Sequence, residues 1–422
     1  MIDLLGLALE GGGAKGSYHI GVYQALQEQG FEFDGVVGTS IGALNGAMIA
    51  QDDFDRALNL WDELDPGELL NIEGEKLEEI YGMEFDRDNV AYLLGRMKEI
   101  IKNRGLETEP IKDLIEKNIE EDKLRSRDID FGLITISLSD MEPRELFLEN
   151  IPEGKLAEYL LASSYLPAFR LEKLGEEYFL DGGFYDNLPI NMLIERGYDK
   201  IIAVRTLSRG RIRPVKAEGV EITYIEPDED LGRVLEFTPE RISYNKKLGY
   251  FDALREFNDL EGRKYYLEAE SNNAGEELTD DSFLELFMKI PEEDVREAAE
   301  FAGCEEKHWR RTLFEELIPL LTDELEIEEK ADYRRIAILS LEELARELKI
   351  ERFEVYSIFE FWELIAENYE PGLAGSRRKL PEIIRKSDFL ASRLRKNPGL
   401  KLTAILFASL LKRENFSPAG KQ

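Results

Sequence analysis

The chain has 422 residues, 43% of them hydrophobic, with 54 Lys+Arg against 88 Asp+Glu and a formal net charge of -34. That hydrophobic fraction supports a sizeable core, and the length supports one large domain with an annex or two domains; so negative a surface excludes nucleic acid as a natural partner. A lone cysteine, Cys304, excludes an internal disulfide and fits a reducing compartment.

The first element is an apolar strand at residues 4–10. No basic stretch precedes it and it runs straight into a glycine loop, so it reads as a strand and not as a targeting segment, and the expected location is cytoplasmic. The loop is Gly11-Gly12-Gly13-Ala14-Lys15-Gly16, and residues 17–29 follow as a helix with Tyr18, Val22, Ala25 and Leu26 on one face. A second strand, 33–38, ends in Gly38-Thr39-Ser40-Ile41-Gly42 and leads into a helix over 41–50. The pattern then turns helical, giving an insertion over about 52–128 that is expected to flank the substrate cleft. Strands resume at 131–138, 146–148, 178–180, 200–205 and 222–225. Strand–helix alternation of this kind implies a mostly parallel sheet covered on both faces.

From about Thr279 the strands are expected to stop, with helical patterns opening at Asp280, Glu305, Ser340, Glu354 and Pro381. Ser340-Leu341-Glu342-Glu343 reads as a capping box. The expected domains are therefore an α/β domain over 1–275 and an all-helical domain over 276–422. The longest late apolar run, 400–411, is too short to span a bilayer. Residues 374–422 carry twelve Lys/Arg and three Asp/Glu. This basic end, 377–413 above all, has the acidic body as its nearest anion; peripheral contact with an anionic membrane surface is the alternative.

Two turns carry the chemistry. Gly38-Thr39-Ser40-Ile41-Gly42 matches G-x-S-x-G, in which flanking glycines let a strand and a helix approach closely enough to hold a serine in a strained turn. Such a serine projects at a helix N-terminus, where free N–H groups favour developing negative charge. The upstream 11–16 loop also satisfies G-x-G-x-x-G, but the acid of a dinucleotide site belongs at the far end of the second strand and Asp34 lies at its start. The remaining use of three bare glycines is an oxyanion hole formed by Gly11, Gly12 and Gly13. The chain has only two histidines, His19 and His308. The order Ser40, Asp181, His308 formally suits a hydrolase triad, yet His308 falls outside the sheet domain and His19 lies one turn into the first helix. Asp181, at the end of a strand and followed by Gly182 and Gly183, is the better base. No spaced cluster of metal ligands is evident, and neither a metal nor a cofactor is expected.

Gly11–Gly16, Gly38–Gly42 and Asp181-Gly182-Gly183 together resemble the three signature blocks of the patatin-like phospholipase family, as do 162–169 and Asn187-Leu188-Pro189. The resemblance covers residues 4–210 and implies a three-layer α/β acyl hydrolase that cleaves lipid esters through a Ser–Asp dyad. It assigns Ser40 as nucleophile, Asp181 as base and Gly11, Gly12 and Gly13 as oxyanion donors, with Lys15, Gly16, Gly38, Gly42, Gly182 and Gly183 in support. Lys15 stands where the family usually has arginine. Two alternatives remain open: a carboxylesterase for soluble short-chain esters, and a non-catalytic patatin fold that binds lipid.

Overall fold

The computed structural model describes residues 4–70, 107–166, 169, 172–216, 219–268, 279–305, 307–328, 330–369 and 398–411. Most of the basic stretch 377–413, the helix start expected at Pro381 and the middle of the 52–128 insertion lie outside these residues. The chain divides into two compact units, Met1–Glu256 and Phe257–Gln422.

The first unit is built on strands β1 (Leu5–Leu9), β2 (Gly35–Thr39), β3 (Asp130–Ser137), β4 (Glu142–Phe147), β5 (Phe179–Asp181), β6 (Lys200–Val204) and β7 (Glu221–Ile225). They form one sheet in the order β4-β3-β2-β1-β6-β7, with β5 also paired to β3. The five strands β1, β2, β3, β6 and β7 are mutually parallel; β4 and β5 run antiparallel to β3. Side chains alternate between two covered faces, which is why the strands read as nearly continuous apolar runs. Ala8, Val37, Ile134 and Ala203 pack with Leu193 of the helix Ile190–Glu195. On the other face lie α1 (Ser17–Glu28) and α2 (Ile41–Ala50). There a Cβ on Gly46 of α2 would stand 3.1 Å from Val36 and 3.6 Å from Phe131. The result is the expected three-layer α/β fold with a mostly parallel sheet. The described part of the insertion contributes α3 (Phe54–Glu63) and the helices Pro66–Leu70, Glu109–Asn118 and Glu121–Arg125.

The second unit has its own core, in which Phe287, Leu321, Ala337, Phe361 and Phe407 are buried together. It is helical apart from one short parallel ladder, β8 (Tyr266–Glu268) with β9 (Val355–Ser357). This ladder explains two departures from the sequence reading. Residues 257–268 leave the first unit because Tyr265 and Leu267 belong to the second core, and a strand recurs well after Thr279. The helix expected at Glu354 opens instead at Ile358, after β9. The helix expected at Glu305 begins at Trp309.

The capping box also lies elsewhere. Ser340 sits in the middle of the helix Tyr333–Glu347 and donates back to Ile336 O at 2.7 Å. That helix is capped eight residues earlier by Asp332, whose carboxylate accepts the Arg335 N–H at 2.8 Å. Glu343, the acid of that motif, accepts from Arg346 at 2.5 Å instead, and its neighbour Glu342 is buried and accepts the Arg263, Lys264 and Tyr265 N–H groups at 2.7, 3.0 and 2.9 Å. The true box is Ser357/Glu360, reciprocal at 3.2 and 3.0 Å. No described helix is long and apolar enough to cross a membrane.

Candidate active site

Register along β3 decides the site. β4 covers Gly132–Ser137 on one edge of β3, while the opposite edge is shared: β2 pairs up to Thr39↔Ile134 and β5 pairs from Thr135↔Asp181. β2 ascends that edge and β5 descends it, so their carboxyl ends meet head to head. One register step, about 3.3 Å, separates their last paired positions along β3. Ser40 and Asp181, distant in sequence, thus emerge at one point.

Ser40 adopts φ 56 and ψ -126, a positive φ that a non-glycine residue occupies only under constraint. Close packing supplies the constraint: a Cβ on Gly38 would lie 2.3 Å from Gly42, and one on Gly42 would lie 2.3 Å from Leu9 O. The Ser40 N–H donates to Ser163 Oγ at 3.0 Å, and Ser163 Oγ donates to Ile134 O at 2.6 Å. The preceding Thr39 Oγ1 donates to Asp186 O at 2.8 Å. The elbow is therefore pinned from both sides by the segments that flank β5.

Asp181 is wholly buried, and its Oδ1 accepts the Gly183 N–H at 2.7 Å. Its own N–H donates to Tyr165 O at 3.0 Å. Gly182 packs against Ile134 O, where a Cβ would come within 2.3 Å. Neither histidine stands in as a base. His308 is exposed in the second unit. His19 is fully buried in α1, with Nδ1 3.3 Å from Asn45 Nδ2, and burial lowers its pKa to about 3.

The glycine loop corrects one expectation. Gly11 N–H is already used, donating to Asn187 O at 3.0 Å. Among the described residues no acceptor meets the Gly12 and Gly13 N–H groups. Gly13 has φ 57 and Gly12 faces the 206–208 turn. Lys15 lies 3.8 Å from Asp230, and Gly16 O accepts from Asn45 Nδ2 at 2.9 Å. Asn45 Oδ1 in turn accepts from Trp61 Nε1 at 3.0 Å, joining the loop, α2 and α3. Asp34 lies at the opposite edge of the sheet and accepts the Leu5 N–H at 2.8 Å, as a discarded dinucleotide site requires.

Several site residues escaped the sequence reading. Glu10, fully buried, accepts the Thr206 and Leu207 N–H groups at 2.8 and 3.1 Å and Asn187 Nδ2 at 3.1 Å. Burial raises its pKa against those hydrogen bonds. Asp186 is also pushed up, to about 6, chiefly by burial. An acid ending an otherwise apolar strand was the available signal for Glu10; Ser163 lay within the 162–169 stretch without a role of its own, and nothing local marked Asp186.

Ser40 and Gly13 open onto an apolar cavity of about 80 Å³. Ile41, Leu44, Asn45 and Met48 of α2 line it at helical spacing, facing Ile111, Leu114, Ile115 and Asn118 of the helix Glu109–Asn118. Trp61 of α3 and Phe169 close the sides. Beyond Met48 the floor is sealed by Gln51, which donates to Asn118 O at 2.8 Å and accepts the Glu120 N–H at 3.0 Å.

Residues 7–194 match the family described as patatin-like phospholipase. The match takes in both glycine turns and Asp181. A patatin-like phospholipase domain-containing protein of Caenorhabditis elegans is 30% identical to this chain over 217 residues, 48% of this chain and 13% of that protein. Lysophospholipase NTE1 of Saccharomyces cerevisiae is 29% identical over 212 residues, 47% of this chain and 10% of that protein. The chain thus spans only about a tenth of the length of these curated relatives. Among solved structures, VipD from Legionella pneumophila aligns over 100% of this chain and 94% of its own, at 14% identity and a TM-score of 0.39.

Two expected outcomes follow from this part of the molecule. In Gly12→Ala the new Cβ would stand 2.5 Å from Ser208 Oγ and 2.7 Å from Thr206 Oγ1, so the loop must shift. Loss of an oxyanion donor costs about 10² to 10³ in kcat, and steady-state kinetics should show that fall with KM little changed. A kcat within tenfold of wild type would remove Gly12 from the oxyanion role.

His19 gives a pH dependence of stability. Its folded pKa, about 3, lies below the ordinary value of 6.5, so between these values the unfolded chain binds a proton that the folded one refuses. Stability is full above pH 6.5 and declines as pH falls toward 3. From pH 7.5 to 5.5 the loss from this one group is about 1.4 kcal/mol. Urea melts of wild type and His19→Asn should differ in pH slope by that amount; equal slopes would mean that His19 takes up a proton in the fold.

Proposed function

We propose that the patatin-like domain is a serine acyl hydrolase that cleaves fatty-acyl esters of phospholipids or related lipids. The head-to-head meeting of β2 and β5, which delivers Ser40 and Asp181 to the mouth of an apolar cavity, carries this reading. Ser40 Oγ attacks the ester carbonyl as the Asp181 carboxylate takes its proton. The Gly12 and Gly13 N–H groups hold the oxyanion of the tetrahedral intermediate. The alcohol leaves, Asp181 activates a water against the acyl-enzyme, and the fatty acid is released with Ser40 restored. Asp181, buried at 0% exposure, takes the proton out of contact with bulk water. This chain's lipid preference is proposed on the cavity; the relatives named for lysophospholipid or phospholipid hydrolysis support the class.

The cavity favours an acyl chain over a short-chain ester. From Ser40 to Met48 along α2 is about 12 Å at 1.5 Å per residue. An extended chain advances about 1.2 Å per bond, so roughly ten carbons fill that length. Each buried methylene contributes about 0.8 kcal/mol, close to fourfold in kcat/KM. Across a p-nitrophenyl ester series kcat/KM should therefore climb steeply and level off near that length. Met48→Phe should move the plateau to shorter chains while leaving butyrate turnover unchanged. A flat series would favour the general carboxylesterase. The direct test is fluorophosphonate labelling followed by a lipid-panel assay with mass spectrometry of products. Labelling at Ser40 with fatty-acid release supports the reading, and absence of labelling in folded protein favours a non-catalytic lipid-binding module.

A further inference from the structure

The glycine loop is gripped from the side of β6. In the sheet β1 lies between β2 and β6, so the chain leaving β1 at Glu10 has the Ser40 elbow on one flank and the segment that leaves β6 on the other. Thr206, wholly buried two residues past β6, donates from Oγ1 to Gly11 O at 2.7 Å. Ser208 Oγ stands 2.9 Å from Thr206 Oγ1, and Asn187 Nδ2 reaches the same Gly11 O only at 3.4 Å. Glu10 fixes both arms of this grip. Its carboxylate accepts the Thr206 N–H at 2.8 Å through one oxygen and Asn187 Nδ2 at 3.1 Å through the other.

A trans peptide carries its C=O and the next N–H on opposite sides, and the Gly11–Gly12 bond is trans. Holding Gly11 O on Thr206 therefore turns the Gly12 N–H away from β6. The elbow lies on that other flank: a Cβ on Gly11 would stand 3.2 Å from Thr39 O, one residue before Ser40. No acceptor among the described residues meets the Gly12 N–H there. Successive glycines resist rotation of a peptide plane poorly, because without a Cβ each tolerates most of φ,ψ space. The Thr206 hydroxyl supplies the constraint that the glycines lack.

We propose that Thr206 is a positioning residue: its hydroxyl sets the Gly11–Gly12 peptide so that the Gly12 N–H faces the Ser40 turn. The inference rests on the acyl-hydrolase reading for its purpose, which is to aim an oxyanion donor before the reaction begins. Thr206 touches no substrate and acts through the Gly12 N–H alone, with Glu10 holding it from behind. A donor already aimed needs no reorientation as the ester carbonyl becomes an oxyanion, so its effect falls on the transition state and not on substrate binding.

The test uses the full chain. In Thr206→Val a methyl takes the place of the hydroxyl 2.7 Å from Gly11 O, too close for carbon against oxygen, and the peptide must turn. Thr206→Ala removes the hydroxyl without that crowding. With p-nitrophenyl butyrate both should lower kcat about tenfold or more, toward the roughly 10² of a lost oxyanion donor, with KM within about twofold of wild type. Thr206→Ser keeps the hydroxyl and should restore kcat to within about threefold. Adding Thr206→Ala to Gly12→Ala should cost little beyond Gly12→Ala by itself, since both changes act through one N–H. Crystal structures of wild type and Thr206→Ala give a readout that needs no turnover: in the variant the Gly11–Gly12 peptide should rotate or occupy two orientations. A kcat near wild type in both Thr206→Val and Thr206→Ala, a Thr206→Ser as slow as Thr206→Ala, full additivity with Gly12→Ala, or an unmoved Gly11 carbonyl overturns the proposal. A wild type without ester turnover or fluorophosphonate labelling, whose Gly11–Gly12 peptide still rotates in Thr206→Ala, would count against the hydrolase reading and leave the hold of Thr206 on the peptide standing.

Discussion

Ser40→Ala abolishes ester hydrolysis, with turnover falling by about 10⁴-fold or more, the scale on which removal of a serine nucleophile acts. The side chain is only 4% exposed and its Oγ is used by no described hydrogen bond that holds the fold. The elbow is held instead by backbone: Ser40 N–H on Ser163 Oγ, and Gly38 packed on Gly42. The variant should therefore melt within a few degrees of wild type while losing fluorophosphonate labelling. Hydrolysis within tenfold of wild type, in a protein with unchanged circular dichroism, would place the nucleophile elsewhere. The positive φ at Ser40 adds a second expectation: Ser40→Gly removes the steric strain and should be at least as stable as the alanine variant, though equally inactive.

Asp181→Asn is the second large effect. The amide keeps the shape of the carboxylate and can still accept the Gly183 N–H at 2.7 Å, so the strand end is preserved. What disappears is the capacity to take the serine proton, a contribution of about 10² to 10⁴ in rate. Turnover should fall over that range or further, and Ser40→Ala combined with Asp181→Asn should be little worse than either alone, because the two groups act as a unit. His308→Ala should keep full activity. A large loss in His308→Ala with Asp181→Asn near wild type would reverse the assignment and restore a histidine base. Neighbouring Asp186, with a pKa raised to about 6, is the other carboxyl to watch: its Asn variant alters only the side-chain supports of the Leu188 and Arg213 N–H groups and should lower activity far less than Asp181→Asn.

What could be read locally was read correctly. A strand, a glycine-flanked serine and a following helix are encoded within ten residues, since steric limits on φ and ψ act between neighbours. Alternating apolar strands and helices likewise revealed the parallel sheet, because a sheet buried on both faces leaves no polar stripe to blur the pattern. Motifs one residue type wide failed where burial decided instead. Ser340-Leu341-Glu342-Glu343 has the letters of a cap, but Glu343 is taken by Arg346 and the helix is capped by Asp332. The ladder of β8 with β9 joins segments of three residues each, too short to show a period of their own.

The sequence by itself determined the serine elbow, the sheet type and the glycine loop, because each depends on residues adjacent in the chain. Only the tertiary structure decided how the site closes. That Asp181 meets Ser40 follows from two strands sharing one edge of β3. That Gly11 is spent, leaving Gly12 and Gly13, follows from a hydrogen bond to Asn187. Ser163 steadies Ser40 across 123 residues, and Glu10 anchors the 206–207 turn across 196 and 197. The cavity floor at Met48 and Gln51 requires the helix Glu109–Asn118 to pack on α2. Such contacts leave no local pattern, because a buried polar group is satisfied by whatever donor the fold brings to it, and the distance along the chain carries no information about which donor that is.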